Sequence, residues 1–135
     1  MRRILLLGAV LLMAQMSTVA AQLTGEPSKD PRQLNFQLFE AANKGRTSDV
    51  QLYLKHGASI KARDRFGNTA LLLAAFSGRA KTVKVLLDAG SDVKYQNLAG
   101  STALYRAAKA GKGNSVKLLL KAGAGVNTLN TKGLS

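Results

Sequence analysis

The sequence predicts an all-α solenoid of about three stacked helix-turn-helix repeats, followed by an incomplete fourth. Equivalent residues recur every 33 positions over most of the chain. They include Gly45, Gly78 and Gly111; Leu54, Leu87 and Leu120; and the pairs Ala41-Ala42, Ala74-Ala75 and Ala107-Ala108. A fixed period of this size marks stacked supersecondary units. Each unit has an apolar face that its neighbours bury, so such an array offers an extended surface and no catalytic pocket.

Residues 1–21 carry the pattern of a secretory signal peptide. Arg2-Arg3 forms a basic start, residues 4–13 are almost wholly apolar, and Val19-Ala20-Ala21 offers a small-residue cleavage site before Gln22. The apolar run is too short for a comfortable membrane span. An uncleaved signal anchor is the alternative. The chain contains no cysteine, which excludes attachment as a lipoprotein.

Residues 22–33 are predicted to be a linker, because they contain Gly25, Pro27 and Pro31. The first repeat then spans residues 34–63 and opens with a helix. This repeat lacks the turn glycine and threonine of the later repeats, which is typical of an N-terminal capping unit.

The second repeat, residues 64–96, and the third, residues 97–129, each predict a turn and two helices. Asp64 opens a turn, because its side chain can accept hydrogen bonds from nearby backbone N–H groups. Thr69 precedes an apolar run and can cap the first helix. Apolar residues at i, i+3 and i+4 spacing then mark a half-buried second helix. They are Val83, Leu86 and Leu87 in the second repeat, and Val116, Leu119 and Leu120 in the third. We expect Leu87 and Leu120 to be buried.

Residues 130–135 match the start of the earlier repeats and open a fourth unit without a helix. About three units are the usual minimum, and the ends normally carry polar caps. Two interpretations follow: the chain is a truncated form of a longer array, or a partner covers its end. The first interpretation is favoured.

The repeats resemble the ankyrin repeat. Asp64 to Gln96 reads DRFGNTALLLAAFSGRAKTVKVLLDAGSDVKYQ, which matches the turn D/N-x-x-G-x-T, a first helix ending in A-A-x-x-G, and a second helix ending in V-x-x-L-L. Asn97 to Leu129 follows the same pattern. Where the family has T-P-L-H, this sequence has Thr69-Ala70-Leu71-Leu72. We expect this difference to loosen the turns and to leave the fold unchanged. The resemblance covers residues 34–133 and implies a non-catalytic protein-binding module.

The charge is strongly basic, with 20 Lys and Arg against 7 Asp and Glu. Removal of residues 1–21 would leave 18 basic residues, a net charge of +11. A solvated outer face explains this charge most simply. Attraction to an acidic protein, or peripheral contact with an anionic membrane surface, is the alternative. The predicted export and the low aromatic content, 5% of residues, disfavour nucleic acid.

The residue types needed for catalysis or metal binding are scarce. His56 is the only histidine and cysteine is absent, so we expect no metal site and no cofactor. One histidine cannot support a Ser-His-Asp or Cys-His hydrolase. The seven acidic residues are scattered over the repeats, so no carboxylate pair suggests acid–base catalysis. We therefore expect that the protein is not an enzyme.

The resemblance implies that a partner contacts the turn tips and the inner, concave face of the first helices. Carried over residue by residue, these contacts are Arg65, Phe66, Asn68, Phe76, Ser77, Gln96, Leu98, Ala99, Ser101, Tyr105, Arg106 and Lys109. Phe66 and Phe76 carry most weight, since exposed aromatics are favoured in binding hot spots. For Phe76, packing in the core between repeats is an equal alternative.

The predicted function is a protein–protein interaction module or scaffold in the envelope of a Gram-negative bacterium, periplasmic or secreted. One alternative is an immunity or inhibitor protein that blocks a secreted toxin or enzyme. Others are an effector delivered outside the cell and a domain of a larger enzyme. For the immunity or inhibitor protein, a dedicated acidic partner would fit the basic charge.

Overall fold

The computed structural model describes residues 26–125. Within this range the chain forms six α-helices and no β-strand. The predicted signal peptide, residues 1–21, and the incomplete fourth repeat, residues 130–135, lie outside the described residues.

The six helices form three antiparallel pairs. Their bounds are α1 Pro31–Lys44, α2 Thr47–Lys55, α3 Ala70–Phe76, α4 Ala80–Asp88, α5 Ala103–Lys109 and α6 Gly113–Lys121. The first helices α1, α3 and α5 pack on one another in one layer, and the second helices α2, α4 and α6 pack in another. This arrangement confirms the predicted all-α repeat solenoid.

Helix α1 begins earlier than the sequence pattern predicts. Asp30 caps it, since its Oδ1 accepts a hydrogen bond from Arg32 N at 3.0 Å, and Pro31 occupies the first turn. Proline suits this position because its fixed φ is helical. The N–H that proline lacks would have no partner within the helix there. Gln37 Nε2 also donates to the backbone oxygen of Glu26 at 2.7 Å. The predicted linker, residues 22–33, therefore extends too far into the domain.

The turns and helix starts form as the sequence predicts. Asp64 Oδ1 accepts hydrogen bonds from the backbone N–H groups of Phe66 and Asn68, both at 2.9 Å. Thr69 Oγ1 accepts from Leu72 N at 3.5 Å and so caps α3. These bonds satisfy donors that a turn or a helix start otherwise leaves unpaired. They fix the direction in which each turn leaves the helical layers.

The core lies between the two helical layers. The side of each second helix that faces this core differs from the side that the sequence predicts. Leu86 and Leu119 are fully buried, whereas Leu87 is half-buried and Leu120 is 40% exposed. The expectation that Leu87 and Leu120 are buried is therefore wrong for Leu120 and only partly met for Leu87. Successive helical residues differ by about 100° around the axis. A stripe centred on Val83 and Leu86 therefore leaves Leu87 at its edge.

A pair of hydroxyl groups joins the first two repeats and is absent between the second and third. Thr47 Oγ1 and Thr82 Oγ1 lie 2.9 Å apart in a hydrogen bond between α2 and α4. One period later these positions hold Ala80 and Ser115. Ser115 is fully buried, and its Oγ has no hydrogen-bond partner among residues 26–125. A buried hydroxyl without a partner destabilises the fold.

We expect Ser115→Ala to raise the free energy of unfolding by about 1 kcal/mol, because it removes the unpaired buried hydroxyl. The matched control is Thr82→Ala, which breaks the paired hydroxyls and should lower the same quantity by about 1 kcal/mol. Urea denaturation monitored by circular dichroism measures both values. A loss of stability in Ser115→Ala as large as that in Thr82→Ala would contradict this interpretation.

Candidate partner-binding surface

The predicted contact residues lie on the turns and the first helices. We call the surface formed by turns 64–69 and 97–102 and the exposed sides of α1, α3 and α5 the front surface. Its most exposed large apolar residues include Leu98, at 78% exposure, Phe66, at 56%, and Phe76, at 48%. Large apolar side chains exposed on one face are typical of binding sites.

Two of the predicted contacts, Asn68 and Ser101, are buried inside the turns. Asn68 Nδ2 donates to Asp64 Oδ2 at 3.3 Å, and Asn68 Oδ1 accepts from Asn97 Nδ2 at 2.8 Å. Ser101 N donates to Asn97 Oδ1 at 2.9 Å. Asn68 therefore joins its turn to the next one, and Ser101 holds its own turn in shape. Their prediction as partner contacts is wrong, because both side chains are buried.

The structure brings four predicted residues together at the turn tips. The Arg65 guanidinium carbon lies 4.8 Å from the centroid of the Phe66 ring. Leu98 N donates to the backbone oxygen of Phe66 at 3.1 Å, so the two turns lie side by side. Ala99 follows Leu98 and is exposed. A guanidinium stacked on a ring keeps its N–H edges available for a carboxylate.

Five further predicted residues form a second group at the ends of α3 and α5. The Arg106 guanidinium carbon lies 4.5 Å from the centroid of Phe76, and Lys109 Nζ lies 5.7 Å from that of Tyr105. Arg106 Nε is buried and has no hydrogen-bond partner among the described residues. Ser77 Oγ donates to Asn43 Oδ1 at 2.5 Å. Phe76 is thus exposed and stacked against a cation, which decides against its placement in the core.

Comparison with known families decides the identity of the repeats. A family model described as ankyrin repeats, in three copies, matches residues 38–130. The chain belongs to the ankyrin repeat family. No curated protein matches this ankyrin chain. Ankyrin repeats typically serve as non-catalytic modules that bind other proteins.

The last of the predicted contacts, Gln96, is exposed just before the turn of the third repeat and belongs to neither group. Its neighbour Tyr95 accepts a hydrogen bond from Arg63 Nη1 at 3.4 Å, and the Arg63 guanidinium carbon lies 6.0 Å from the Tyr95 ring centroid. This part of the ankyrin domain therefore forms a basic and aromatic rim beside the turn-tip group.

The prediction missed the contribution of α1 to the front surface. Arg32, Phe36 and Phe39 of α1 line a cavity of about 710 Å³ together with residues 62–66. Phe36 is 61% exposed. The period places Phe36 at the position of Thr69. The sequence could have indicated this difference, because Phe36 replaces the capping threonine at this position. In α1 an exposed aromatic ring therefore lies where the later repeats have a turn.

The described acidic side chains of the ankyrin domain do not pair with the arginines of the front surface, so most of the positive charge there is not neutralised. Within residues 26–125 there are two ion pairs, Glu40–Lys44 at 2.6 Å and Arg46–Asp49 at 3.5 Å. The hydrogen bond from Lys44 lowers the pKa of the Glu40 carboxyl. Asp30, Asp64 and Asp92 each accept backbone N–H groups close to them in sequence. Four arginines on or beside the front surface therefore form no ion pair among the described residues: Arg32, Arg63, Arg65 and Arg106.

The described residues offer no alternative centre for metal chemistry. Residues 26–125 contain no group of three or more His, Cys, Asp or Glu side chains that could hold a metal ion. Within the same residues, no helix is both long and apolar enough to cross a membrane.

Proposed function

We propose that this ankyrin chain is a non-catalytic interaction module or scaffold of the bacterial envelope and that its partner protein binds the front surface. The observation that carries the proposal is a repeated pairing of an exposed phenylalanine with an arginine: Phe66 with Arg65, and Phe76 with Arg106. Aromatic residues and arginine dominate binding hot spots. Side chains already stacked in the free protein lose less conformational freedom when a partner binds.

The proposed location, periplasmic or secreted, is supported by the signal-peptide pattern of residues 1–21. We expect mass spectrometry of the protein expressed in a Gram-negative host to show a mature N-terminus at or near Gln22, because the cleavage pattern ends at Ala21. The control is a variant with Ala21→Arg, which should abolish cleavage by blocking the small-residue site. A wild-type product that retains Met1 would contradict cleavage and favour a signal anchor.

The proposed partner is a protein with an acidic surface, because the front-surface arginines form no ion pair among the described residues. Lysines on the second helices, among them Lys84 and Lys117, are exposed and add a long-range field that would attract such a partner. The same lysines would support peripheral contact with anionic membrane surfaces. Nucleic acid is not proposed as a partner, since the export pattern would separate the protein from it.

A second candidate function is that of an immunity or inhibitor protein. The observation that favours it is the same uncompensated arginine set, since an enzyme or toxin with an acidic active-site rim would complement it. A gene for a secreted toxin beside the gene for this chain would favour the inhibitor over the scaffold. An inhibitor would also abolish the activity of its purified partner, whereas a scaffold would leave that activity intact.

We expect Phe66→Ala or Arg65→Ala to weaken binding of a captured partner by about 1–2 kcal/mol or more, which is the range of hot-spot residues. The partner is first isolated by affinity capture on the mature chain from an envelope extract, and binding is then measured by surface plasmon resonance. The matched controls are Lys84→Ala and Lys117→Ala on the second helices. They should change mainly the association rate and its dependence on salt concentration.

The opposite pattern would reject the proposed site. If the lysine variants abolish binding at both low and high salt while Phe66→Ala and Arg65→Ala bind normally, the partner occupies the second-helix face. Circular dichroism of all four variants shows whether each remains folded. The substituted side chains are exposed, so we expect no loss of helical signal.

A further inference from the structure

The cavity between α1 and the turn of the second repeat exists because the first repeat has no turn of its own. One period before Arg65 and Phe66 lie Arg32 and Gln33, and both belong to helix α1. Among residues 26–125, the turn at residues 64–69 therefore has a neighbouring turn on one side only. On its other side lies the groove that Arg32, Phe36 and Phe39 line with residues 62–66.

The missing turn leaves a backbone donor unpaired at the edge of the groove. Between the second and third repeats, Leu98 N donates to the backbone oxygen of Phe66 at 3.1 Å. The equivalent donor one period earlier is the backbone N–H of Arg65, for which the equivalent acceptor would be the oxygen of Gln33. Gln33 lies within α1, and Arg65 N makes no hydrogen bond among residues 26–125. An extended chain lying in the groove could supply the missing carbonyl.

The side chains around this donor combine apolar and cationic groups. Phe36 and Phe66 are each more than half exposed, and Phe39, which also lines the groove, is partly buried against the core. Three arginines line the same groove: Arg32, Arg63 and Arg65. The one carboxylate among the lining residues, that of Asp64, accepts hydrogen bonds within its own turn. The groove therefore presents aromatic rings and three positive charges against one carboxylate, which is already hydrogen-bonded within its turn.

We propose that this groove binds an extended segment of a partner protein in which a carboxylate lies beside an aromatic or large aliphatic side chain. The proposal rests on the proposed function and specifies the partner for one part of the front surface. The apolar side chain packs between Phe36 and Phe66, the carboxylate binds the arginines, and a backbone carbonyl of the segment accepts the Arg65 N–H. Bidentate contact favours arginine over lysine for carboxylates.

An extended segment fits the groove better than a helix does. The backbone carbonyls inside a helix are already hydrogen-bonded within that helix, so they cannot satisfy the Arg65 N–H. A segment in extended conformation leaves alternate carbonyls and side chains available, as in the addition of a strand to an exposed edge. It would take the place that a preceding turn occupies in the regular part of the array.

Selection from a library of random dodecapeptides on the immobilised mature chain tests the proposal. The enriched peptides should share a carboxylate within a few residues of an aromatic or large aliphatic residue. Their affinity, measured by fluorescence anisotropy, should fall as salt concentration rises, because exposed ion pairs are screened. Enrichment of peptides without an acidic residue, or no enrichment at all, would overturn the proposal.

Variants of the groove locate the peptide. Arg65→Ala and Phe36→Ala should each weaken the selected peptides about tenfold, as expected for central contacts. Arg65→Pro should weaken them about threefold further than Arg65→Ala, because it also removes the backbone donor. Proline fits the second position of the turn closed by the Gly67 N–Asp64 O bond. The charge control Lys84→Ala should bind the peptides normally. Circular dichroism checks the fold of each variant.

The outcomes separate this inference from the proposed function. If Phe76→Ala and Arg106→Ala abolish peptide binding while Arg65→Ala and Phe36→Ala do not, the front surface binds its partner elsewhere, and only the groove assignment fails. If Arg65→Pro binds the peptides as well as Arg65→Ala does, the proposed hydrogen bond from the Arg65 N–H to the bound segment is wrong. If only the second-helix lysines matter, both the groove and the front-surface function fail.

Discussion

Leu86→Ala should lower the free energy of unfolding by about 2–5 kcal/mol, the range observed when a buried leucine is truncated to alanine. Leu86 is fully buried in α4, and α4 packs against α3 in its own repeat and against α2 and α6 on either side. In a solenoid each repeat contacts only its neighbouring repeats. A cavity at Leu86 therefore weakens the middle repeat at both of its interfaces.

Leu87→Ala is the matched control, because it removes the same atoms from the next position of the same helix. Leu87 is only half-buried, so its truncation removes less apolar area from the core, leaves no enclosed cavity, and should cost clearly less. Urea denaturation of both variants gives the two free energies. Equal losses, or a larger loss in Leu87→Ala, would contradict the packing of α4 and favour the original expectation that Leu87 is buried.

The sequence predicts the repeats well because turn and capping residues recur at fixed positions, and each of these residues acts on the backbone close to it. Thr69 caps its helix because its hydroxyl oxygen accepts a hydrogen bond from a first-turn N–H that has no partner within the helix. The phase of the second helices was harder to predict. Leu86 and Leu87 are identical residues at neighbouring positions, and the helical period alone does not say which one faces the core. The start of α1 was missed because Pro31 suits both a linker and a first helical turn.

The candidate site was less predictable. The repeat period identifies which residues are equivalent, but it does not say which of them are exposed. Asn68 occupies a turn in the sequence and is nevertheless buried, since it bonds to Asn97 of the next turn. The stacking of Arg106 on Phe76 joins adjacent repeats and follows from how α3 and α5 pack. The groove beside Arg65 arises from the missing turn in the first repeat. These features depend on contacts between repeats, which spacing within one repeat does not specify.

Gly67→Ala should destabilise the domain more than a comparable glycine substitution elsewhere. Gly67 has a φ of 77°, a left-handed conformation that costs a residue with a side chain about 1–3 kcal/mol. An added Cβ would also lie 2.9 Å from the backbone nitrogen of Leu98. Leu98 N would have to move, and its hydrogen bond to the Phe66 oxygen, worth about 1 kcal/mol, would be strained or lost.

Gly57→Ala separates the two causes. Gly57 also has a positive φ, 99°, but an added Cβ there would have no atom within 4 Å. The control therefore carries the conformational cost without the clash, and thermal and urea denaturation should show a smaller loss than in Gly67→Ala. Because Gly67 sets the spacing between Phe66 and Leu98, its substitution should also weaken a front-surface partner, whereas Gly57→Ala should not. Equal effects of the two variants on stability and on binding would show that the turns do not depend on this close approach.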